Sequence, residues 1–380
     1  FRRFYAGAPN WLSAAVDRYR GTVASRNIWL TAGLVRACVS FCQEKVSTMA
    51  GKPPYYAGID VGGTNIKAGV VDCEGTPLGK ANVPTEAIKG PDSGVQNIKL
   101  ALKLALKQAG LKVKDLVGAG VATPGTMDIR TGMLLEPPNL PGWNYYPIRQ
   151  KTEEAIGIPT VLQNDANAAA YGEFWAGAAK EAHSLVFWTL GTGIGCGIII
   201  GDLIIEGQHS HGAECGHIIV QMEGGRQLGG TGQYGTLEAY CGTKAVVKRC
   251  EEALAAGRTS ILTEWIKAGQ ELTPKLLSAA AEAGDQLADD LIMETARYMG
   301  VGTVTMMHTI DPDMVVFGGA MTFGAESTKV GRRFLQEIRS EVKKRAFPIP
   351  YAKTILKYAS LHNDAGFIGA AGCAKLKFKP

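Results

Sequence analysis

Nowhere do the 380 residues offer an unbroken apolar run of the roughly 18–20 residues needed to span a bilayer. The apolar stretch at 28–41 is too short and is interrupted by Arg36. No CxxC pair occurs. The cysteines (Cys38, Cys42, Cys73, Cys196, Cys215, Cys241, Cys250 and Cys373) are scattered along a long chain. That excludes a disulfide framework and leaves free thiols in a reducing compartment, so a cytoplasmic protein is expected. An excess of one charge is also missing from most of the chain. The formal net charge is +5, yet residues 1–48 hold seven basic and two acidic residues, which leaves 33 of each sign elsewhere. A neutral body gives no electrostatic case for nucleic acid or membrane surfaces.

What is present is ordinary globular composition, with 46% hydrophobic and 20% charged residues, and enough length for two cores. The basic segment 1–48 does not resemble the rest. It ends just before Met49-Ala-Gly-Lys-Pro-Pro, after which a clean strand pattern begins. Met49 reads as a natural start, with the upstream residues a wrongly extended frame; a disordered basic extension and an Arg-rich targeting segment are the alternatives. The expected organisation is an extension over 1–54, a first α/β domain over 55–165, and a second over 166–364.

Alternation predicts strands at 56–61 and 66–71 around a glycine turn, then a hairpin turn at Cys73-Glu-Gly-Thr. Helical spacing marks 96–109, ended by Gly110. Buried strands are expected at 116–122, 161–162, 185–190 and 314–317. A strand with a turn at Gly201-Asp202 is expected over 198–205, after a glycine run. Helices are expected at 166–178, 243–257, 275–309 and 365–376. No exact repeat exists, but strand, glycine turn, strand recurs near 56–71 and 185–205. Two similar α/β halves with a cleft between them follow.

Four stretches carry chemistry. In Asp60-Val-Gly62-Gly63-Thr64-Asn-Ile-Lys67, two glycines in a tight turn free backbone N–H groups to face an anion, and Asp60 can hold a hydrated Mg²⁺ beside phosphates. A plain hairpin turn is the competing reading. Gly191-Thr192-Gly193-Ile-Gly-Cys-Gly197 superficially suggests a dinucleotide fingerprint, but a strand rather than a helix follows, which argues against it. Two such turns suit an ATP held between related domains. The run 311–320, ending in Gly318-Gly319, lets a flat ring approach the backbone or simply ends a strand. Asn164-Asp165 lies between a strand and a helix. It suits an N-cap, and also a rigidly held general base. Glu214 and His217 in Gly212-Ala-Glu214-Cys-Gly-His217, with Glu238, are either sugar-hydroxyl contacts or parts of solvated loops.

Together these stretches resemble the ROK family (repressors, open-reading-frame proteins and kinases), within the actin-like ATPase, ribonuclease H-like fold. The resemblance covers about 55–376. Its most specific part is 190–217, with glycines at 193, 195, 197 and 207, then Ala213 and Gly216-His217. Asp60-x-Gly-Gly-Thr, Gly118–Asp128 with Pro124-Gly125, Asn139-Leu-Pro-Gly-Trp143 and Asn164-Asp165-Ala-Asn-Ala-Ala-Ala add to it. The resemblance implies two actin-like domains with an interdomain cleft. It implies ATP-dependent phosphorylation of a hexose, glucose at C6 ahead of fructose, N-acetylglucosamine or N-acetylmannosamine, with a sugar-responsive repressor as the rival class. It makes Asp165 the base. Asn139, Asn164, Glu214, His217 and Glu238 become sugar contacts. Asp60, Gly62, Gly63, Thr64, Thr192, Gly193, Gly318 and Gly319 become the MgATP contacts. A homodimer or homotetramer is implied, and a last helix that returns to the first domain.

One departure stands out. Many members follow the histidine with Cys-x-Cys-Gly-x-x-Gly-Cys-x-Glu, a structural zinc site. Here Gly229, Thr231 and Thr236 replace the three cysteines. Glycine and threonine supply no thiolate, so no structural zinc is expected and the loop should rest on hydrogen bonds. Cys215, Cys241, His209 and His211 are the only nearby residues from which a rearranged site could be built.

Overall fold

A computed structural model describes residues 51–229 and 231–379. The expectations for residues 1–48 lie outside the described residues. Where description begins, the Lys52 backbone already pairs with Cys73 and with the Asp72 carboxylate.

Alternating and apolar runs become two five-stranded sheets of the same design. In the first, β1 (Tyr55–Val61), β2 (Asn65–Val71), β3 (Pro77–Pro84), β4 (Leu116–Thr123) and β7 (Thr160–Asn164) lie in the order β3-β2-β1-β4-β7. The pair β5 (Met127–Asp128) and β6 (Met133–Leu134) forms a separate ribbon. In the second, β8 (Ser184–Leu190), β9 (Ile194–Ile200), β10 (Leu203–Ile204), β11 (Met314–Gly318) and β12 (Ile355–Tyr358) lie in the order β10-β9-β8-β11-β12. Each sheet runs antiparallel, antiparallel, parallel, parallel across its width. The repeated strand–turn–strand pattern in the sequence is therefore one topology used twice.

Helices fill three layers. α1 (Pro91–Ala109) and α2 (Ile148–Ile156) cover the outer face of the first sheet, where Ile59, Ile66, Ile98, Leu102 and Trp143 are buried. α1 begins on Pro91, whose missing N–H costs nothing there, and ends on the left-handed Gly110. α3 (Asp165–Trp175) lies on β8 and β9. Five helices follow in the second half: α4 (Glu238–Cys241), α5 (Thr243–Ala255), α6 (Leu262–Lys267), α7 (Pro274–Glu282) and α8 (Gln286–Ile310). α9 (Lys329–Arg345) packs along α8, and α10 (Pro348–Lys353) leads into β12. The largest core lies here, joining the outer face of the second sheet to α7, α8 and α9. α11 (Ala365–Lys377) packs on β1 and β4 of the first sheet and along α3, so α3 and α11 make the inner layer between the two sheets. This layer is tight. A β-carbon on Gly120 of β4 would strike the Ala370 carbonyl oxygen, and one on Gly369 would strike that of Ala168.

Two sequence expectations change. The single helix over 275–309 is two helices, because Gly284 turns left-handed (φ 92°) and Asp285 caps α8 by accepting from the Ala288 N–H. The helix expected over 166–178 begins at Asp165 and ends at Trp175. Among the described residues the six cysteines are free thiols, and no helix is long and apolar enough to cross a membrane.

Candidate active site

The parallel strands of the first sheet end side by side. Asp60 near the end of β1 pairs in register with Ala122 of β4, and Thr123 at the end of β4 pairs with Asn164 of β7. In open α/β sheets, ligands bind outside these carboxyl ends. Here the ends carry Asp60, a Thr123 hydroxyl that is buried with no hydrogen-bond partner among the described residues, Asn164 and Asp165.

Asn164 and Asp165 are set by the start of α3. Asn164 is the N-cap: its Oδ1 accepts from the Ala166 and Asn167 N–H groups at 2.9 and 3.2 Å. Asp165 Oδ1 also accepts from Ala166 N at 2.9 Å. The half-buried Asp165 carboxyl is pushed up to about 7 from an ordinary 3.8, first by burial and then by the nearby charge of Asp60, with a smaller push from Glu214. Asp60 is itself raised by burial, which Lys67, 4.0 Å away, partly offsets. The charges of Asp60 and Glu214 are thus felt at Asp165, an arrangement suited to proton transfer.

Behind them sits a residue that sequence reasoning missed. The buried Gln163 accepts from Asn164 N (2.8 Å) and from Asn167 Nδ2 (3.3 Å), and its Nε2 donates to Glu206 at 2.7 Å. It locks the strand–helix turn. A glutamine after Val161-Leu162, directly before Asn-Asp, was the available signal.

The first glycine turn is a rigid platform. Gly62 N donates to Asn65 O, Thr85 N donates to Thr64 O, and Thr85 Oγ1 donates to Gly62 O. Gly63 abuts the Asn139 backbone so closely that a β-carbon would not fit. The Asn139–Trp143 loop thus rests on this turn, anchored by Trp143, which is fully buried and donates to Ala87 O at 3.2 Å. Asn139 itself is exposed.

The second turn is shorter than the glycine run suggested. Only 191–193 turns, with Gly191 N donating to Gly193 O and Gly191 O accepting from Thr243. Gly195 and Gly197 already belong to β9, where they make room for Ala166 and Ala170 of α3. Thr192 is exposed at the tip. Gly318 pairs in register with Thr189, and Gly319 (φ 92°) presses on the Leu190 backbone, so the Gly318-Gly319 turn lies beside the Thr192-Gly193 turn.

Glu214 and His217 flank a short 3₁₀ turn whose Gly216 sits against Ile194 O. Glu214 is exposed and His217 half-buried, with its Nδ1 2.6 Å from Gln233 Oε1. Glu238, read in the sequence as a sugar contact, also has a structural bond. Its carboxylate accepts from Ile194 N at 2.7 Å and abuts Gly193, so it braces the second turn from within.

The residues after His217 do not fit zinc. Gly229, Thr231 and Thr236 lack thiolates, and Cys241 Sγ faces Thr295 O in the core. Cys215 lies against Cys196, and the Cys196 thiol is pushed well up by burial. Among the described residues no three His, Cys, Asp or Glu side chains converge for a metal. The loop is closed by hydrogen bonds: Val220 N and Gln221 N to Gly235 O, Gly235 N to Arg226 O, and Leu228 N to Gln233 O.

The model of the ROK family matches residues 56–377. A glucokinase of Streptomyces coelicolor is 34% identical over 84% of this chain and 96% of its own length. The crystal structure of a ROK hexokinase from Thermus thermophilus is 33% identical with a TM-score of 0.71, covering 85% of this chain and 99% of that one. That of a ROK family glucokinase from Streptomyces griseus, in complex with glucose and AMPPNP, is 31% identical with a TM-score of 0.70, covering 85% and 100%. More distant relatives include an N-acetylmannosamine kinase of Salmonella heidelberg, 28% identical over 82% of this chain and 96% of its own. A xylose repressor of Caldicellulosiruptor bescii is 26% identical over 70% of this chain and 65% of its own.

Proposed function

From the premise that the chain belongs to the ROK family and has its actin-like ATPase fold, we propose that it is a sugar kinase that transfers the γ-phosphoryl group of ATP to the C6 hydroxyl of glucose, with Asp165 as general base. The observation that carries this reading is the Asp165 carboxyl. It is fixed at the first residue of α3, beside two glycine turns, and raised to about 7. A base poised near neutral pH is best placed both to be ionised and to hold a proton.

The roles follow from position. Sugar hydroxyls meet Asn139, Asn164, Glu214 and His217, with Glu238 reaching the same space from the brace of the second turn. The triphosphate lies against Gly62, Gly63 and Thr64 on one side and Thr192 and Gly193 on the other, and Gly318-Gly319 receives the flat base. The Asp60 carboxylate at a strand end suits a hydrated Mg²⁺, which when bound neutralises charge on the phosphates. Residues 55–165 and 166–364 act as two domains that close on the substrates and expel water, which limits wasteful hydrolysis. Asp165 orients the C6 hydroxyl and takes its proton as the oxygen attacks phosphorus in line. Positioning supplies most of the acceleration.

Glucose is favoured over other hexoses by the glucokinase relatives, while the N-acetylmannosamine kinase relative names the alternative acceptor. The test is ADP release with MgATP and glucose, fructose, N-acetylglucosamine or N-acetylmannosamine, run on the chain and on Asp165→Asn. Glucose should give the highest kcat/KM. The variant should lose roughly 10²–10⁴-fold in kcat while its KM for glucose stays close to that of the parent. Near-normal turnover by Asp165→Asn would overturn the assignment of the base. A preference for another sugar would change the acceptor and keep the mechanism.

A further inference from the structure

The loop after His217 is a small built object. Ile219 bridges Thr236, and Gln227 bridges Tyr234. Arg226 N donates to the Tyr240 hydroxyl at 2.9 Å, and the Arg226 guanidinium grips both oxygens of Glu252 at 2.7 and 2.8 Å. Leu228 N donates to Gln233 O, and Thr231 Oγ1 accepts from Gln233 N at 3.3 Å. These bonds fix the Gln233 backbone at the tip of the loop, with its side chain turned back onto the imidazole of His217.

The contact is Gln233 Oε1 to His217 Nδ1, 2.6 Å. An amide oxygen can only accept, so Nδ1 must carry the hydrogen. In a neutral imidazole the other nitrogen, Nε2, is then an unprotonated acceptor. We propose that Gln233 is a positioning residue: it holds His217 in the Nδ1–H tautomer, so that Nε2 presents a lone pair to a hydroxyl of the sugar. This rests on the reading of His217 as a sugar contact. It gives a physical reason for a hydrogen-bonded loop where the resemblance would place a metal. The loop still orients the histidine ring, through an amide oxygen instead of a cation. It also sets selectivity, because an acceptor at Nε2 requires a donor on the ligand, and a substrate lacking that hydroxyl leaves a polar atom unpaired.

The test uses the full chain, Gln233→Leu, Gln233→Glu and His217→Asn. ¹⁵N spectra of the imidazoles, with the His217 signals assigned by their loss in His217→Asn, report the tautomer without any substrate. The chain should show Nδ1 protonated and Nε2 bare, and Gln233→Leu should show a mixed or reversed population. In steady state, Gln233→Leu should raise KM for glucose roughly fivefold to tenfold, as expected for one misdirected hydrogen bond, with kcat and KM for ATP within about twofold. Gln233→Glu keeps an acceptor oxygen and should restore most of the sugar affinity. A protonated Nε2 in the parent chain, or an unchanged tautomer in Gln233→Leu, overturns the proposal. If His217→Asn weakens sugar binding and Gln233→Leu does not, the positioning role falls and the sugar contact stands. If neither moves KM for glucose, the sugar reading of His217 falls and takes the proposal with it.

Discussion

Replacing Asp165 by Asn should make the protein more stable, by an amount that grows with pH. The folded protein holds this carboxyl at about 7, against an ordinary 3.8, through burial and the charges of Asp60 and Glu214. Between those two values the folded chain keeps a proton that the unfolded chain has released. Stability therefore falls as pH rises through the window and is level above it. At about 1.4 kcal/mol per pH unit, the full penalty is about 4 kcal/mol above pH 7. Only the part of the window above pH 5 separates measurements at pH 5 and pH 8, which is about 2.7 kcal/mol. Asparagine carries no such penalty, and its Oδ1 can still accept from Ala166 N, the bond that Asp165 makes. Equilibrium unfolding in urea of both proteins at both pH values reads this quantity, together with the relief that loss of the Asp165 charge gives Asp60 and Glu214. The gain from Asp165→Asn should be larger by about 2–3 kcal/mol at pH 8 than at pH 5. An equal gain at the two pH values, or a loss at pH 8, would refute the account of why this carboxyl is raised.

Three further outcomes are expected. Glu173 is fully buried, and its carboxylate accepts from Ala178 N (2.7 Å), Leu361 N (2.7 Å) and Ser360 N. Glu173→Gln turns an amide NH₂ toward these donors and should cost roughly 2–4 kcal/mol in urea unfolding. Gly369→Ala drives a methyl group into the Ala168 carbonyl and should cost about 3 kcal/mol, seen as a lower Tm and less soluble protein. Gly193→Ala pushes on the Glu238 carboxylate and disturbs its bond to Ile194 N. It should raise KM for ATP by at least about fivefold, with KM for glucose rising too where Glu238 meets the sugar.

Strands with strong alternation and turns that need glycine were legible, which is why β1, β2, β8 and the first glycine turn fall where expected. Glycines used for packing were not separable from glycines used for turning: Gly195 and Gly197 look like loop residues until α3 is laid against them. β3 was missed because Pro77, Gly79 and Pro84 weaken its strand signal, and its order comes from pairing with β2. α9 carries Val330, Phe334, Leu335, Ile338 and Val342 on one face, a pattern that the many charges between them obscured. In the site, Asp60, Asn164 and Asp165 stand out because strand ends and helix starts are written locally. Gln163, Thr123 and Gln233 do not, since the bonds or burial that give them a part appear only in the folded chain. Glu238 shows the same limit from the other side: the residue was found, but its brace on Ile194 N is visible only in three dimensions.

The inner layer of the fold also bears on how the protein is made. One face of the first sheet is covered by α11, the last element of the chain, while the final strand of that sheet, β7, ends at Asn164. Roughly two hundred residues lie between them, so at about 5–20 residues per second the ribosome needs on the order of ten to forty seconds to deliver the cover. Throughout that interval the nascent first half has its strands but not its lid, with Tyr56, Gly58 and the β4 glycines unable to reach their final packing. The second half is also completed late, since β8 pairs with β11 and its core reaches Tyr358. Closure of the first sheet is thus a late event that waits on α11.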